Sequence, residues 1–155
     1  MKRRSFLKAT LATGAASVAV SAGLLTPSTV LASWNKEAFE AKKVDAGLKA
    51  LLGSADAADS ADVKLTAPAI AENGAVTPVT VDASGMKGVE SIVIVASDNP
   101  TPLVCEYKFS GAAQGFVSTR IRLGSTQQVV GIVKAGGKLY KAQQEVRVTI
   151  GGCGG

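Results

Sequence analysis

The chain has 155 residues, 46% of them apolar, 19% charged and 5% aromatic, which is enough apolar side chain to fill one packed domain and too much for a disordered tail protein. Histidine is absent, which excludes the usual general base, the usual zinc ligand and any Ser/His/Asp or Cys/His nucleophile pair. The formal net charge of +5 is misleading: four of the 17 basic residues fall within the first eight positions, and the rest of the chain carries 13 against 12 acidic residues, leaving no electrostatic footprint for nucleic acid or anionic lipid.

Lys2-Arg3-Arg4-Ser5-Phe6-Leu7-Lys8 opens the chain, and a run of mainly Ala, Ser, Thr, Gly and Val follows with no charge until Lys36. A basic segment, a modest apolar segment and small residues ahead of a polar chain predict a secretory signal. Arg3 and Arg4 with Phe6 and Leu7 behind them resemble the twin-arginine pattern, which exports folded proteins. Val30-Leu31-Ala32 places cleavage after Ala32, so residues 1–32 are expected to be removed, leaving 123 residues in a bacterial periplasm with no stable membrane association. A retained membrane anchor is the competing reading, weakened by Pro27 and by the small, weakly apolar side chains around it.

Trp34 to Leu52 reads as one amphipathic helix, giving a helical segment over 33–53 packed on the domain. Trp34, Phe39, Val44, Leu48, Leu51 and Leu52 share a side, Lys36, Glu40, Lys43 and Lys49 lie largely elsewhere, and Gly53 is the stop. Ser54 to Asp62, rich in Ala and Asp, reads as a loop. From there to residue 150 the period alternates. Val63-Lys64-Leu65 begins a strand, and Val79 and Val81 alternate with Thr80 and Asp82. Pro78 cannot donate to a ladder and belongs at an edge or a strand start. Ile92-Val93-Ile94-Val95 is apolar on both parities, the pattern of a central strand covered on each face. Strands are also expected around 103–109, 117–123, 129–133 and 146–150. Glu72-Asn73-Gly74, Ser84-Gly85, Asp98-Asn99-Pro100, Gly111, Gly124-Ser125 and Gly136-Gly137 supply the turns. About seven short strands at this spacing predict a mainly β protein, an immunoglobulin-like antiparallel sandwich with an N-terminal helix; a small open barrel is the alternative.

The two cysteines differ. Cys105 shares strand parity with Leu103, Tyr107 and Phe109, so it is expected to face the core as a small hydrophobe, with a disulfide to Cys153 as the competing reading. Cys153 lies between Gly151-Gly152 and Gly154-Gly155, past the last apolar residue, Ile150. Side-chain-free residues offer nothing to bury against the entropy lost on ordering, so residues 151–155 are expected to form a mobile arm. From Ile150 to Cys153 its reach is at most about 10 Å between Cα atoms. No His is available to deprotonate the thiol, so Cys153 is a weak catalytic nucleophile but a usable covalent handle, activated by whichever enzyme receives it. Two unlike cysteines without His offer no metal site, and one thiol without a base is not an enzyme active site.

Ile150-Gly151-Gly152-Cys153-Gly154-Gly155 behind a twin-arginine leader resembles the SoxY family of thiosulfate-oxidation carriers, and Asp98-Asn99-Pro100-Thr101-Pro102-Leu103-Val104 is similar to a family stretch ahead of a central strand. The resemblance covers essentially the whole chain after the leader; the cysteine at Cys105 departs from the small apolar residue expected there. It implies a non-enzymatic carrier without a cofactor, bearing sulfur adducts on Cys153. It also implies a heterodimer with a SoxZ-like subunit, loading by SoxAX, hydrolysis by SoxB and, in some organisms, oxidation by SoxCD. Edge strands and the apolar side of the 34–52 helix are the candidate partner surfaces. A ubiquitin-like carrier with sulfur on a terminal Gly-Gly carboxylate is the runner-up, opposed by the outward-directed leader. A non-covalent periplasmic binding module is the third reading.

Overall fold

The computed structural model describes residues 35–110 and 113–149. The predicted helix is two helices, α1 (Lys36–Glu40) and α2 (Val44–Leu52), separated by extended backbone at Ala41 and Lys43. Trp34 lies outside the described residues. A continuous rod could not cover the sheet as the pair does, because the break turns α1 back across α2. Gly47 makes the close crossing possible, since a Cβ there would meet the Leu103 side chain at 2.7 Å and the Ala38 carbonyl at 3.0 Å. Asn35 fixes both helices: its Oδ1 accepts from the Ala38 amide, and its Nδ2 donates to the Ala50 carbonyl at 2.8 Å. Gly53 ends α2 as expected, in the left-handed region at φ 85°, with its amide donating to Lys49.

Among the described residues nine strands follow: β1 (Ala58–Asp59), β2 (Lys64–Thr66), β3 (Ile70–Ala71), β4 (Thr77–Asp82), β5 (Val89–Ala96), β6 (Leu103–Lys108), β7 (Phe116–Ile121), β8 (Gln127–Ala135) and β9 (Lys138–Val148). The larger sheet runs β1-β9-β8-β5-β6, with β3 also on β9; the smaller runs β2-β4-β7. Strand pairing is antiparallel except for β1 and β3, which pair parallel to β9 on its outer edge. The Ser54–Asp62 stretch is therefore not entirely loop, since it contains β1. The architecture is mainly β with short helices on the N-terminal side, consistent with the immunoglobulin-like sandwich expected.

β5 is covered on both faces, as its unbroken apolar run required. Ile92, Ile94 and Ala96 face the smaller sheet and pack in the inter-sheet core with Val79, Val81, Val117 and Ile121 of that sheet and Val129 and Val133 of β8. Val93 and Val95 face the helices with Ala38, Leu48, Leu103 and Ile132. Burying each such aliphatic side chain contributes roughly 1.5–3 kcal/mol. Pro78 is the second residue of β4. There β4 pairs only with β7, because β2 reaches no further than Thr80, so one side of the strand is open at the residue that lacks an amide. Gly136 and Gly137 turn β8 into β9 with φ of 56° and 74°, the left-handed pair a two-residue hairpin needs.

Candidate functional site

Cys153, Gly151, Gly152, Gly154 and Gly155, with Arg3, Arg4, Phe6 and Leu7 of the leader, lie outside the described residues. The structure gives the base from which the Cys153 segment leaves. β9 is anchored to its last residue: β8 pairs it on one side, and beyond their register the Val148 amide donates to the Thr126 Oγ1 at 3.0 Å. On the other side the Arg147 amide donates to the Ala69 carbonyl at 3.0 Å and the Thr149 amide to the Ala71 carbonyl at 3.2 Å. β3 is two residues long, and its apolar Ala71 is buried in the inter-sheet core.

These bonds close a collar. From Ala71 the chain runs through a turn capped by Asn73, whose Oδ1 accepts from the Ala75 amide at 3.0 Å. The Gly74 carbonyl there accepts from the Leu123 amide at 2.7 Å. Three residues on, Thr126 returns to Val148. Segments 71–74 and 123–126 thus meet each other and both meet the end of β9.

A carboxamide pair pins the collar to the β5–β6 connection. Asn99 donates from Nδ2 to the Arg122 carbonyl at 2.8 Å, and its Oδ1 accepts from the Gly124 amide at 3.1 Å and from Gln127 Nε2 at 3.0 Å. Gln127 is buried; its Oε1 accepts from the Asp98 amide at 2.8 Å, and its Nε2 also donates to the Ser125 carbonyl at 3.2 Å. Every polar atom of the buried side chain is satisfied, as burial demands. Asp98-Asn99-Pro100 was legible as a turn. That Asn99 would clamp residues 23–28 positions away was not, and nothing in the sequence marks Ala71, Thr126 or Gln127.

Cys105 is a free thiol, half-buried on β6. Burial pushes its pKa up, partly countered by the Tyr107 side chain and the Ile94 backbone, so the reactive thiolate is disfavoured. The shared parity with Leu103 does not hold. β6 slips register against β5, with Ile94 opposite Cys105 but Val95 opposite Leu103, so one extra residue sits in β6. The bulge turns Leu103 to the helices, while Cys105 packs against the inter-sheet core. The apolar side of the helices packs on Val93, Val95 and Ile132. Among the described residues no three His, Cys, Asp or Glu side chains come together as a metal site.

The profile of the family described as sulfur oxidation protein SoxY matches residues 48–153. The structure of the sulfur carrier protein SoxY from Chlorobium limicola f thiosulfatophilum is similar at 41% identity and a TM-score of 0.63, over 70% of this chain and 97% of that one. A superoxide reductase (neelaredoxin) from Ignicoccus hospitalis is 19% identical with a TM-score of 0.49, over 56% of this chain and 79% of that one. No curated protein matches. A match over more than half the chain, together with that identity across nearly the whole of a solved relative, places this chain in the SoxY family.

Proposed function

We propose that this chain is a covalent sulfur carrier in thiosulfate oxidation, with the adducts held on Cys153. The observation that carries the reading is the extent of the family match, which begins in α2, spans the sandwich and runs through to residue 153. The reacting sulfur then stands four residues beyond Thr149, the last residue anchored by the collar. Four neighbouring glycines add no lateral bulk, so the thiol can enter a narrow enzyme channel.

The chemistry balances as a carrier cycle. The thiol and thiosulfate form an S–S bond, giving Cys–S–S–SO3⁻ with loss of one proton and two electrons; a haem enzyme, SoxAX, takes the electrons. Water then cleaves the terminal sulfone as sulfate, with SoxB as the hydrolase, releasing two protons and leaving the persulfide anion Cys–S–S⁻. SoxCD, or another acceptor, takes the remaining sulfane sulfur. The carrier contributes position and a leaving thiolate, not a base or a metal. The immunoglobulin-like sandwich, pairing with a SoxZ-like subunit, and twin-arginine export to the periplasm complete the reading.

Cys153→Ser is expected to abolish adduct loading while leaving the fold unchanged. Intact-mass measurement after incubation with thiosulfate and the loading enzyme tests it, and adducts persisting on the Ser variant overturn the assignment. Replacing Gly151 and Gly152 by Val is expected to lower turnover by the partner enzymes, because β-branching stiffens the arm; unchanged turnover removes the hinge from the account.

A further inference from the structure

We propose that the collar around the end of β9, with Ile70 and Val76 as its outward apolar side chains, is the surface on which the adduct-processing enzyme docks, and that this enzyme carries an apolar rim around a narrow active-site entrance. The proposal rests on the carrier reading and adds to it the surface that delivers Cys153.

Chain length sets the constraint. Thr149 is held to Ala71 through its backbone amide, so its position belongs to the sandwich. Cys153 lies four residues on, and a fully extended chain spans at most about 14 Å between those Cα atoms. An enzyme that brings its reacting centre to the Cys153 sulfur must approach Thr149 within that distance. Every ångström by which its centre is recessed is taken from the same allowance. A buried centre therefore forces the rim of its entrance onto whatever surrounds Thr149, and what surrounds it is the collar.

The collar carries the chemistry such a contact needs. Four large apolar side chains are substantially exposed among the described residues: Ile70 at 56%, Val76 and Phe116 at 50%, and Tyr107 at 37%. Single exposed apolar residues are ordinary, so position decides their meaning. Ile70 and Val76 bracket the short segment that hydrogen-bonds to Thr149 at Ala71 and to Leu123 at Gly74. The backbone beneath them is fixed at both points, so an enzyme rim meets a formed surface and little ordering entropy is lost on docking. Phe116 begins β7, at the opposite end of the sandwich, and Tyr107 lies towards that end of β6. Neither can reach a rim centred on Thr149 as directly.

The test uses the full chain with the sulfate-releasing hydrolase. Tetrathionate loads the thiolate by exchange, forming Cys–S–S–SO3⁻ and releasing one thiosulfate, and intact mass verifies loading at Cys153. The double variant Ile70→Lys, Val76→Lys is expected to load normally and to raise KM for the loaded carrier at least tenfold, with kcat unchanged. The pair Tyr107→Lys, Phe116→Lys is expected to leave KM unchanged. An unchanged KM in the collar variant, or an equal rise in the flank variant, overturns the proposal. A Kd for the unloaded chain and the hydrolase, compared between wild type and collar variant, reads the same contact without an adduct, so failure to load rejects the carrier reading alone. Ile70→Thr, Val76→Thr replaces the lysine pair if its thermal midpoint falls.

Discussion

The two ends of the sandwich are built differently. At the end where β9 finishes, side chains cross between connections far apart in sequence: Asn99 to Arg122, Gly124 and Gln127, Gln127 to Asp98, and Thr126 to Val148. At the other end, left-handed glycines at 88, 136 and 137 make the reversals. Backbone bonds such as Ala83 to Gly115 hold the connections together there, with Glu90 on the Gly137 amide as the exposed exception. A reversal needs only permissive backbone, and glycine supplies it. The end of β9 is held instead by two carboxamides with every polar atom paired, Gln127 buried and Asn99 half-buried.

The largest test of this contrast is Asn99→Ala. It strips a partner from buried Gln127 and from the Gly124 amide and Arg122 carbonyl at once, so a loss of about 2–3 kcal/mol is expected in denaturant unfolding. Glu90→Ala, at the glycine-turned end, is expected to fall well short of it; equal losses would erase the distinction. Thr77→Val sharpens the contrast in the other direction. Among the described residues the buried Thr77 Oγ1, beside the collar, has no hydrogen-bond partner, and removing it is expected to stabilise the fold by about 1 kcal/mol in the same assay.

Labelling separates the two sulfurs. The raised pKa of Cys105 means that iodoacetamide at about pH 7 should modify Cys153 and spare Cys105, with the second label appearing only in alkali or on unfolding. Equal labelling in peptide mass spectra would show β6 to be open.

The smallest effect is on pH. Hydrogen bonds from the Ser84 side chain and amide hold the Asp82 carboxyl below its usual range, and the Gly137 amide, then Lys134, does so for Glu90. A lowered folded-state pKa stabilises above the unfolded value, and that contribution fades as pH falls through the folded one. Glu90 is exposed and Asp82 only half-buried, so the acid-side slope is expected to be shallow, and Glu90→Gln should flatten it further in pH-dependent unfolding.

What could be read in the sequence follows the same division. Glycine turns, the doubly covered β5 and the strand-start position of Pro78 are local properties of side chain and backbone, and local patterns expose them. The break at Ala41–Lys43 was hidden because helical periodicity cannot see that Ala38 must fold back onto Gly47 and Leu103. The bulge in β6 was hidden because alternation assumes an uninterrupted pleat. Most of β9 was missed because its first eight residues, Lys138 to Glu145, are largely polar and part-exposed, and β1 and β3 because two residues carry no period. Cys153 was conspicuous from its setting among glycines; the collar at the end of β9 comes from contacts between residues 22 to 78 positions apart.

β9 is interior to the larger sheet, yet it follows every strand it pairs with. During synthesis β1 and β3 have nothing to bind, and β8 keeps an open edge, until residues 138–149 have emerged. A polypeptide broken off before that point lacks Cys153 and also the means to finish its sheet, and exposed edges attract proteases and aggregation. Quality control is therefore written into the topology: a molecule that has folded has, by folding, shown that translation passed within a few codons of Cys153.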